Sequence, residues 1–528
     1  MAVRLISSRL LSRALSANAA CRRTYGTCAS HALQPLLGSL HASQPAFALS
    51  SKDVRILSKP DEFYQKLLNM IRHAKRRIFI STLYIGVAET ELLQTLQTAL
   101  ATNPSLTLTL VLDHNRSTRP ELSSSTAHAL LPLLEAYPDR VRVHMYRSPK
   151  LKGLMARIVP PRFNEGWGTW HAKIYGVDDD VIISGANLNS SYFTDRQDRY
   201  VHLASQPTLN AYLESFLRTI STFSYRLLPS QPTSSQPYTL HWPDADTHPH
   251  HIEDKAHTAL TEFQSSFISQ NTPQVPHLAE AAVDESDPDP SQDTLLFPMI
   301  QSGVLGIREE ERCLSLLFDH VSGSGSGSGL GESLESDTRP VIDLTSGYFA
   351  LYKPYQDRVL ESAKRGKVDW RIVAASPQAN GFLGSKGVSG RIPEGYRILE
   401  ARFWKRVMEA GVAWKDEGDN NNGKGIQLSE WGREGWTYHA KGIWHRPTAT
   451  SHPDLTLFGS TNLNSRAANL DSELSFLMYT RSPALQGRLG KEVDELLRKD
   501  VRQVGSELVS EKTRWSTRAL VWAVESML

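Results

Sequence analysis

The segment His171-Ala-Lys-Ile-Tyr-Gly-Val-Asp178 occurs a second time in altered form as His439-Ala-Lys-Gly-Ile-Trp-His-Arg446, which indicates a duplicated fold. In an extended strand successive side chains point to opposite faces, so the histidine and the lysine of each copy share one face. The spacing therefore predicts two equivalent segments, each presenting an imidazole and an ammonium group to a site.

A turn of small residues follows each copy and ends in an asparagine, and an acid stands eleven residues beyond that asparagine. The turns are Ser184-Gly-Ala-Asn187 and Gly459-Ser460-Thr461-Asn462, and the acids are Asp198 and Glu473. The equal separations indicate a duplicated unit.

These residue types suit metal-free transfer of a phosphoryl centre. Two lysines (Lys173, Lys441) and two asparagine amides can neutralise and hydrogen-bond its charged oxygens. One histidine can attack phosphorus while the other moves the proton, and an acid on the far nitrogen fixes each imidazole. We expect His171 to be supported by Asp178 and Asp198 and His439 by Glu473 alone, which favours His171 as the nucleophile.

Strand-like and helix-like segments recur in the same order in both halves. Strands are predicted at 77–85, 106–112 and 141–146 and again at 340–345 and 368–375, with helices beginning at Glu89, ending at Lys364 and spanning 394–410. Alternating elements imply a duplicated, layered α/β fold. The predicted divisions are 1–52 (presequence and disordered tail), 53–235 (first domain), 236–338 (linker with low-complexity segments) and 339–528 (second domain); the stretch 416–425 reads as a surface insertion.

Composition and the N-terminal stretch exclude some functions. Lys and Arg number 58 against 56 Asp and Glu, so there is no bulk positive charge to hold nucleic acid. No acid precedes Asp53, while arginines lie among Leu, Ala and Ser, which is typical of a mitochondrial presequence. The 3 cysteines and the absence of a phosphate-binding glycine loop indicate neither a disulfide, a zinc site nor an ATP site, so we expect no cofactor.

The paired motifs resemble those of the phospholipase D superfamily, whose mark is His-x-Lys-x4-Asp followed by a Gly/Ser-x-Asn turn. The first copy matches completely, whereas Arg446 replaces the acid in the second. The resemblance implies a duplicated α-β-α sandwich with the active site at the interface of two similar domains. It implies catalytic roles for His171, Lys173, Asp178, His439 and Lys441, although the missing second acid favours a structural role for Asp178. Asn187, Asn462, Ser460, Asp198 and Glu473 would bind substrate phosphate or orient the histidines.

Within the superfamily the chain most resembles the lipid transferases that pass a phosphatidyl group from CDP-diacylglycerol to glycerol 3-phosphate, giving phosphatidylglycerophosphate and CMP. The stretch Ser184–Tyr200, the segment Gly347-Tyr-Phe and the presequence carry this likeness. It implies peripheral contact with the matrix side of the mitochondrial inner membrane, for which the basic and apolar stretch 149–160 is a candidate.

Several alternatives stay open. Another lipid transferase of this type, making phosphatidylserine or cardiolipin, would share the nucleophile half, and a DNA-end processing phosphodiesterase also pairs two such motifs. A degenerate, inactive member is a third alternative. Four arginines are candidates for the acceptor phosphate: Arg116, Arg119, Arg196 and Arg199.

Overall fold

The computed structural model describes residues 33–121, 124–231, 233–271, 292–323, 339–416, 423–511 and 513–524. The predicted presequence up to residue 32 and most of the two predicted low-complexity segments, 270–292 and 322–337, lie outside these ranges. Among the described helices, none combines the length and apolar character required to cross a bilayer.

The first half forms a nine-stranded sheet. Its strands are, in spatial order, Tyr238–His241, Tyr225–Pro229, Val141–Tyr146, Thr107–Asp113, Arg77–Thr82, Ile174–Val177, Asp180–Ser184, Tyr200–Leu203 and Val54–Leu57. The three strands that contain Arg77, Thr107 and Val141 run parallel, and all other neighbours are antiparallel. The predicted strands of this half are therefore confirmed.

The second half repeats this arrangement in a ten-stranded sheet. Its main path is Phe47–Leu49, Thr294–Ser302, Glu473–Thr480, Leu455–Gly459, Lys441–Arg446, Val341–Ser346, Asp369–Ala375, Ile426–Trp431 and Val501–Gln503, and Ile307–Arg308 pairs with the second of these. The strands beginning at Val341, Asp369 and Ile426 are parallel, and the motif strand Lys441–Arg446 runs antiparallel beside Val341–Ser346. The first motif has the same place beside Arg77–Thr82, so the duplication is confirmed.

Helices cover the sheets. They are Gln34–Ser43, Pro60–Arg72, Thr90–Thr102, His114–Thr118, Thr126–Ala136, Met155–Ile158, Ser191–Thr194, Pro207–Ser221, Glu253–Ile268, Glu309–Val321, Lys353–Lys364, Ile392–Glu409, Ser465–Asn469, Pro483–Leu497, Glu507–Ser510 and Trp515–Val524. Short strands Arg196–Gln197 and Thr437–Tyr438 pair with each other, as do Lys415–Asp416 and Gly423–Lys424 in the predicted insertion.

Three apolar clusters show how the halves join. One cluster lies within the first half and another packs mainly on the second sheet. The largest combines Trp170, Leu213 and Phe216 of the first half with Trp444 and Phe476 of the second. The two sheets are therefore fused through a shared buried core, which confirms the predicted duplicated α/β sandwich.

The predicted domain boundaries need two corrections. Residues 34–49 were assigned to a disordered tail, but Leu36, Leu37 and Leu40 of the helix Gln34–Ser43 are buried against the second half, and Phe47–Leu49 pairs with Thr294–Leu296. The second correction concerns the predicted linker 236–338. It contributes Tyr238–His241 to the first sheet and Thr294–Ser302 to the second, where every residue of the latter strand is buried.

Candidate functional site

Two short inter-half pairings fix the position of each motif histidine. The backbone N–H of His171 donates to Ser472 O (2.9 Å), and Ser472 N donates to Thr169 O (2.9 Å). In the other copy His439 N donates to Gln197 O (2.8 Å), within the parallel pairing of Arg196–Gln197 with Thr437–Tyr438. Each histidine is thus bonded to the residue just before the acid of the opposite half.

The histidines consequently exchange acids. His171 Nδ1 lies 2.8 and 2.9 Å from the two carboxylate oxygens of Glu473, and His439 Nδ1 lies 2.6 Å from Asp198 Oδ2. The prediction that these acids partner the histidines agrees with this geometry, but the expected assignment within each half was wrong. The reason is the backbone pairing, which places Glu473 beside the first histidine and Asp198 beside the second.

Charge in the site favours neutral imidazoles and ionised acids. Burial, supplemented by Lys441, lowers the pKa of His439 to about 3, and burial likewise lowers the pKa of His171 below its ordinary value. Burial alone would raise the pKa of each acid, but neighbouring Lys441 and His439 hold that of Asp198 below its usual range, and His171 and Lys173 do so for Glu473. Each Nδ1–H then donates to a carboxylate, which leaves a lone pair on Nε2 for nucleophilic or base chemistry.

Both motif lysines lie within this buried cluster. Lys173 Nζ donates to His171 O (2.6 Å), and Lys441 Nζ lies 2.7 Å from His439 Nδ1 and 3.7 Å from Asp198 Oδ2. Burial lowers the pKa of Lys173 to about 7 and that of Lys441 to about 8. Because an anionic ligand would favour their charged forms, the two lysines suit a phosphoryl group.

The turns place their amides beside this cluster. Asn187 Nδ2 donates to Tyr192 OH (3.0 Å), whereas Asn462 Oδ1 is buried and has no hydrogen-bond partner among the described residues. Ser460 Oγ is engaged by the backbone N–H and carbonyl of Leu474 (3.1 and 3.2 Å), so it braces the turn. Gly185 is required beside the lysine, since a Cβ there would lie 2.6 Å from Lys441 Nζ.

The structure does not place Asp178 in this cluster. Its carboxylate accepts hydrogen bonds from the backbone N–H groups of Lys75, Arg76 and Arg77 (2.8, 2.8 and 3.1 Å), and its φ of 53° fits a tight turn. This geometry agrees with the structural role that the missing second acid favours for Asp178, because its acceptor capacity is used to anchor the start of a strand. Arg446, at the matching place, pairs instead with buried Asp343 (2.7 Å).

The tripeptide His-Ala-Lys is not by itself diagnostic. It occurs a third time as His73-Ala74-Lys75, just after the helix Pro60–Arg72. There the imidazole Nδ1 lies 2.8 Å from Asn69 O, in exposed surroundings. The turn and the acid that follow the motif distinguish the two copies in the site from this one.

Sequence reasoning assigned no role to Tyr192 or Glu310 and favoured core packing for Tyr348. Tyr192 and Tyr348 contact the His439 ring edge-on, with ring centroids 5.1 and 5.4 Å away, and Tyr192 OH lies 3.5 Å from Nε2. Glu310 accepts a hydrogen bond from Thr461 Oγ1 (2.9 Å) in the asparagine turn, and burial raises its pKa to about 7. Tyr348 stood in the quoted Gly347-Tyr-Phe segment, but nothing distinguished Glu310 from its acidic neighbours.

Comparisons with known proteins agree with this geometry. Residues 67–220 match the family model for the PLD-like domain of cardiolipin synthase. The mitochondrial CDP-diacylglycerol–glycerol-3-phosphate 3-phosphatidyltransferase of Gallus gallus is 34% identical over 481 residues, covering 86% of this chain and 79% of the relative. The corresponding enzyme of Schizosaccharomyces pombe is 32% identical over 481 residues, covering 85% and 89%. The crystal structure of a phosphatidylserine synthase from Haemophilus influenzae Rd KW20 shares the fold, with a TM-score of 0.63, 18% identity and coverage of 94% and 98%.

Proposed function

This chain belongs to the family of CDP-diacylglycerol–glycerol-3-phosphate 3-phosphatidyltransferases, and we propose that its two motif histidines carry out the family's reaction. The enzyme transfers the phosphatidyl group of CDP-diacylglycerol to glycerol 3-phosphate and releases CMP. The observation that carries the chemistry is the pair of histidines, each bound through Nδ1 to an acid of the opposite half.

In the first step His171 Nε2 attacks the phosphorus of the phosphatidyl group. The phosphorus–oxygen bond to CMP breaks, and CMP leaves as a phosphate anion while a phosphatidyl-histidine forms. His171 is the more accessible imidazole, with 12% of its side chain exposed against 4% for His439, which suits attack on a bulky lipid. Lys173, Lys441 and the two turn asparagines hold the phosphoryl oxygens.

In the second step His439 takes the proton from the acceptor hydroxyl. The hydroxyl oxygen then attacks phosphorus, the bond to His171 breaks, and the product leaves. The neutral state favoured for His439 by its burial is the state that a general base requires.

The donor is a lipid, so a surface beside the first motif should meet the membrane. Leu154 and Ile158, in the candidate stretch 149–160, are 70% and 61% exposed, and Met155 and Phe163 are also exposed. A bilayer would cover such apolar side chains favourably. A Leu154→Ser/Ile158→Ser variant should sediment less with phosphatidylglycerol-containing vesicles while soluble-phase Tm stays unchanged; undiminished sedimentation would contradict this surface.

The relatives support a mitochondrial location, and we assign the matrix side of the inner membrane. Protease protection of the tagged chain in intact mitochondria and in mitoplasts tests that placement. Digestion in mitoplasts with the inner membrane intact would contradict it.

One assay tests the reaction and separates the alternatives. Labelled CDP-diacylglycerol is supplied in mixed micelles with glycerol 3-phosphate, serine, phosphatidylglycerol or water as the acceptor, and the labelled lipid products are identified. We expect phosphatidylglycerophosphate with wild type and its loss in His171→Ala and His439→Ala. Product formed only with serine or phosphatidylglycerol would instead identify another lipid transferase.

A further inference from the structure

Arg196 shares an aromatic neighbour with the catalytic base proposed above. Its Nε donates a hydrogen bond to Thr437 Oγ1 (3.0 Å), and Thr437 lies two residues before His439 in the chain. Its guanidinium carbon lies 4.4 Å from the centre of the Tyr192 ring, and the same ring lies 5.1 Å from the imidazole of His439. The Tyr192 ring therefore contacts both the Arg196 guanidinium and the imidazole of His439.

Arg196 differs from the other candidate arginines in its charge balance. Arg116 is paired with Glu121, Arg119 with Glu165 and Arg199 with Glu492. No carboxylate of the described residues lies within ion-pair distance of Arg196, whose side chain contacts Thr437 and the Tyr192 ring and has Tyr84 and Tyr348 nearby. A partly buried cation without a counter-ion is costly, and an anionic ligand would remove that cost.

A second hydrogen-bond donor lies beside the guanidinium. A Cβ built on Gly381 would lie 3.1 Å from Arg196 Nη2 and 2.9 Å from Tyr348 OH, so both groups converge on the same loop. Burial raises the pKa of Tyr348, which keeps its hydroxyl protonated and able to donate. A planar guanidinium and a phenol hydroxyl together suit the oxygens of a phosphate monoester.

We propose that Arg196, assisted by Tyr348, binds the phosphate of the acceptor, so that the far hydroxyl of glycerol 3-phosphate reaches His439. This subsite rests on the proposed function, because it defines where the second substrate lies. It also explains selection of an acceptor phosphate, since an uncharged polyol would leave Arg196 without a counter-ion. The diphosphate of the donor has similar chemistry and is separated from the acceptor by the experiment below.

The test compares Arg196→Gln with Arg116→Gln. In wild type the Arg116 guanidinium also lies over a tyrosine, Tyr84 (3.7 Å), but it is already paired with Glu121. Arg196→Gln should raise the KM for glycerol 3-phosphate about 10- to 100-fold, as expected for loss of a charged hydrogen bond. Exchange of labelled CMP into CDP-diacylglycerol, which needs no acceptor, should stay within about threefold of wild type. Arg116→Gln should change neither quantity by more than about threefold.

Three outcomes would overturn the subsite. An unchanged KM for glycerol 3-phosphate would exclude Arg196 from acceptor binding. A parallel loss of CMP exchange would assign Arg196 to donor binding. An equal rise in KM in Arg116→Gln would show that the effect is not specific to Arg196. If Arg196→Gln fails to fold, Tyr348→Phe should show a smaller KM increase with normal exchange, and a normal KM there would count against the proposal. Failure of wild type to use glycerol 3-phosphate would instead refute the proposed function.

Discussion

Replacing Glu473 by glutamine tests the exchanged acids directly. Glutamine keeps the shape and can still accept from His171 Nδ1–H, but it removes the negative charge that stabilises an imidazolium. A hydrogen bond to a charged partner contributes about 1.5–3 kcal/mol, and about 1.4 kcal/mol corresponds to a factor of ten in rate. With Glu473 fully buried and 2.8 Å from Nδ1, we expect kcat to fall roughly 10- to 150-fold and the donor KM to change little.

The assay is phosphatidylglycerophosphate formation at saturating glycerol 3-phosphate, accompanied by CMP exchange, which should fall in parallel. Asp178→Asn is the matched control, because it alters the acid of the sequence motif. It should keep kcat within about threefold but lower Tm, since it weakens bonds to three backbone N–H groups that contribute about 1 kcal/mol each. Normal turnover in Glu473→Gln, or an equal loss in Asp178→Asn, would refute the reasoning.

Three further substitutions probe the surroundings of the site. Gly185→Ala should lower kcat at least about tenfold, because its Cβ would displace Lys441, whereas Gly487→Ala, with nothing within 4 Å, should be silent; equal kinetic effects would contradict the packing. The pKa of Glu310 is raised to about 7, so the stability that its protonated form contributes is complete below pH 4.5 and is lost as pH rises through 7. The fall in Tm from pH 5 to 8 should therefore be shallower in Glu310→Gln than in wild type. Parallel Tm curves for the two proteins would contradict this role of Glu310. Since Lys173, with a pKa of about 7, loses its charge as pH rises, kcat/KM for the donor should decline above that pH, and Lys173→Arg should move the decline upward; an unmoved limb would exclude this lysine as its source.

Much of the site could be predicted because duplication makes its signal repeat. Two histidines, two lysines and two acids at equal separations imply one constellation, and the structure brings these six residues together. The pairing of acids with histidines could not be predicted from spacing, because it depends on contacts such as Trp170 with Ser472, which are distant in the chain. The spacing of residues in a motif predicts which side chains share a face of one strand. It does not predict which segment of the other half pairs with that strand.

The fold was predicted well where strands are continuous and apolar. Thr294–Ser302 lay in the predicted linker, and Pro298 within it argues against a strand with neighbours on both sides. In the structure one flanking strand pairs only with residues 294–296 and another only with 301–302, so the proline lies where that side of the strand is unpaired. Arg196 was recognised as a candidate cation, but its lack of a carboxylate partner becomes visible only in three dimensions.

The exchange of acids between the halves also affects fidelity. If the two halves separated, both imidazoles would lose their acids at once, and the tautomer that exposes Nε2 would no longer be enforced in either. An opened molecule would therefore be chemically silent and would not hydrolyse its activated lipid with the water that enters. The catalytic tautomers of both histidines therefore depend on the assembled interface, and this dependence limits hydrolysis of CDP-diacylglycerol.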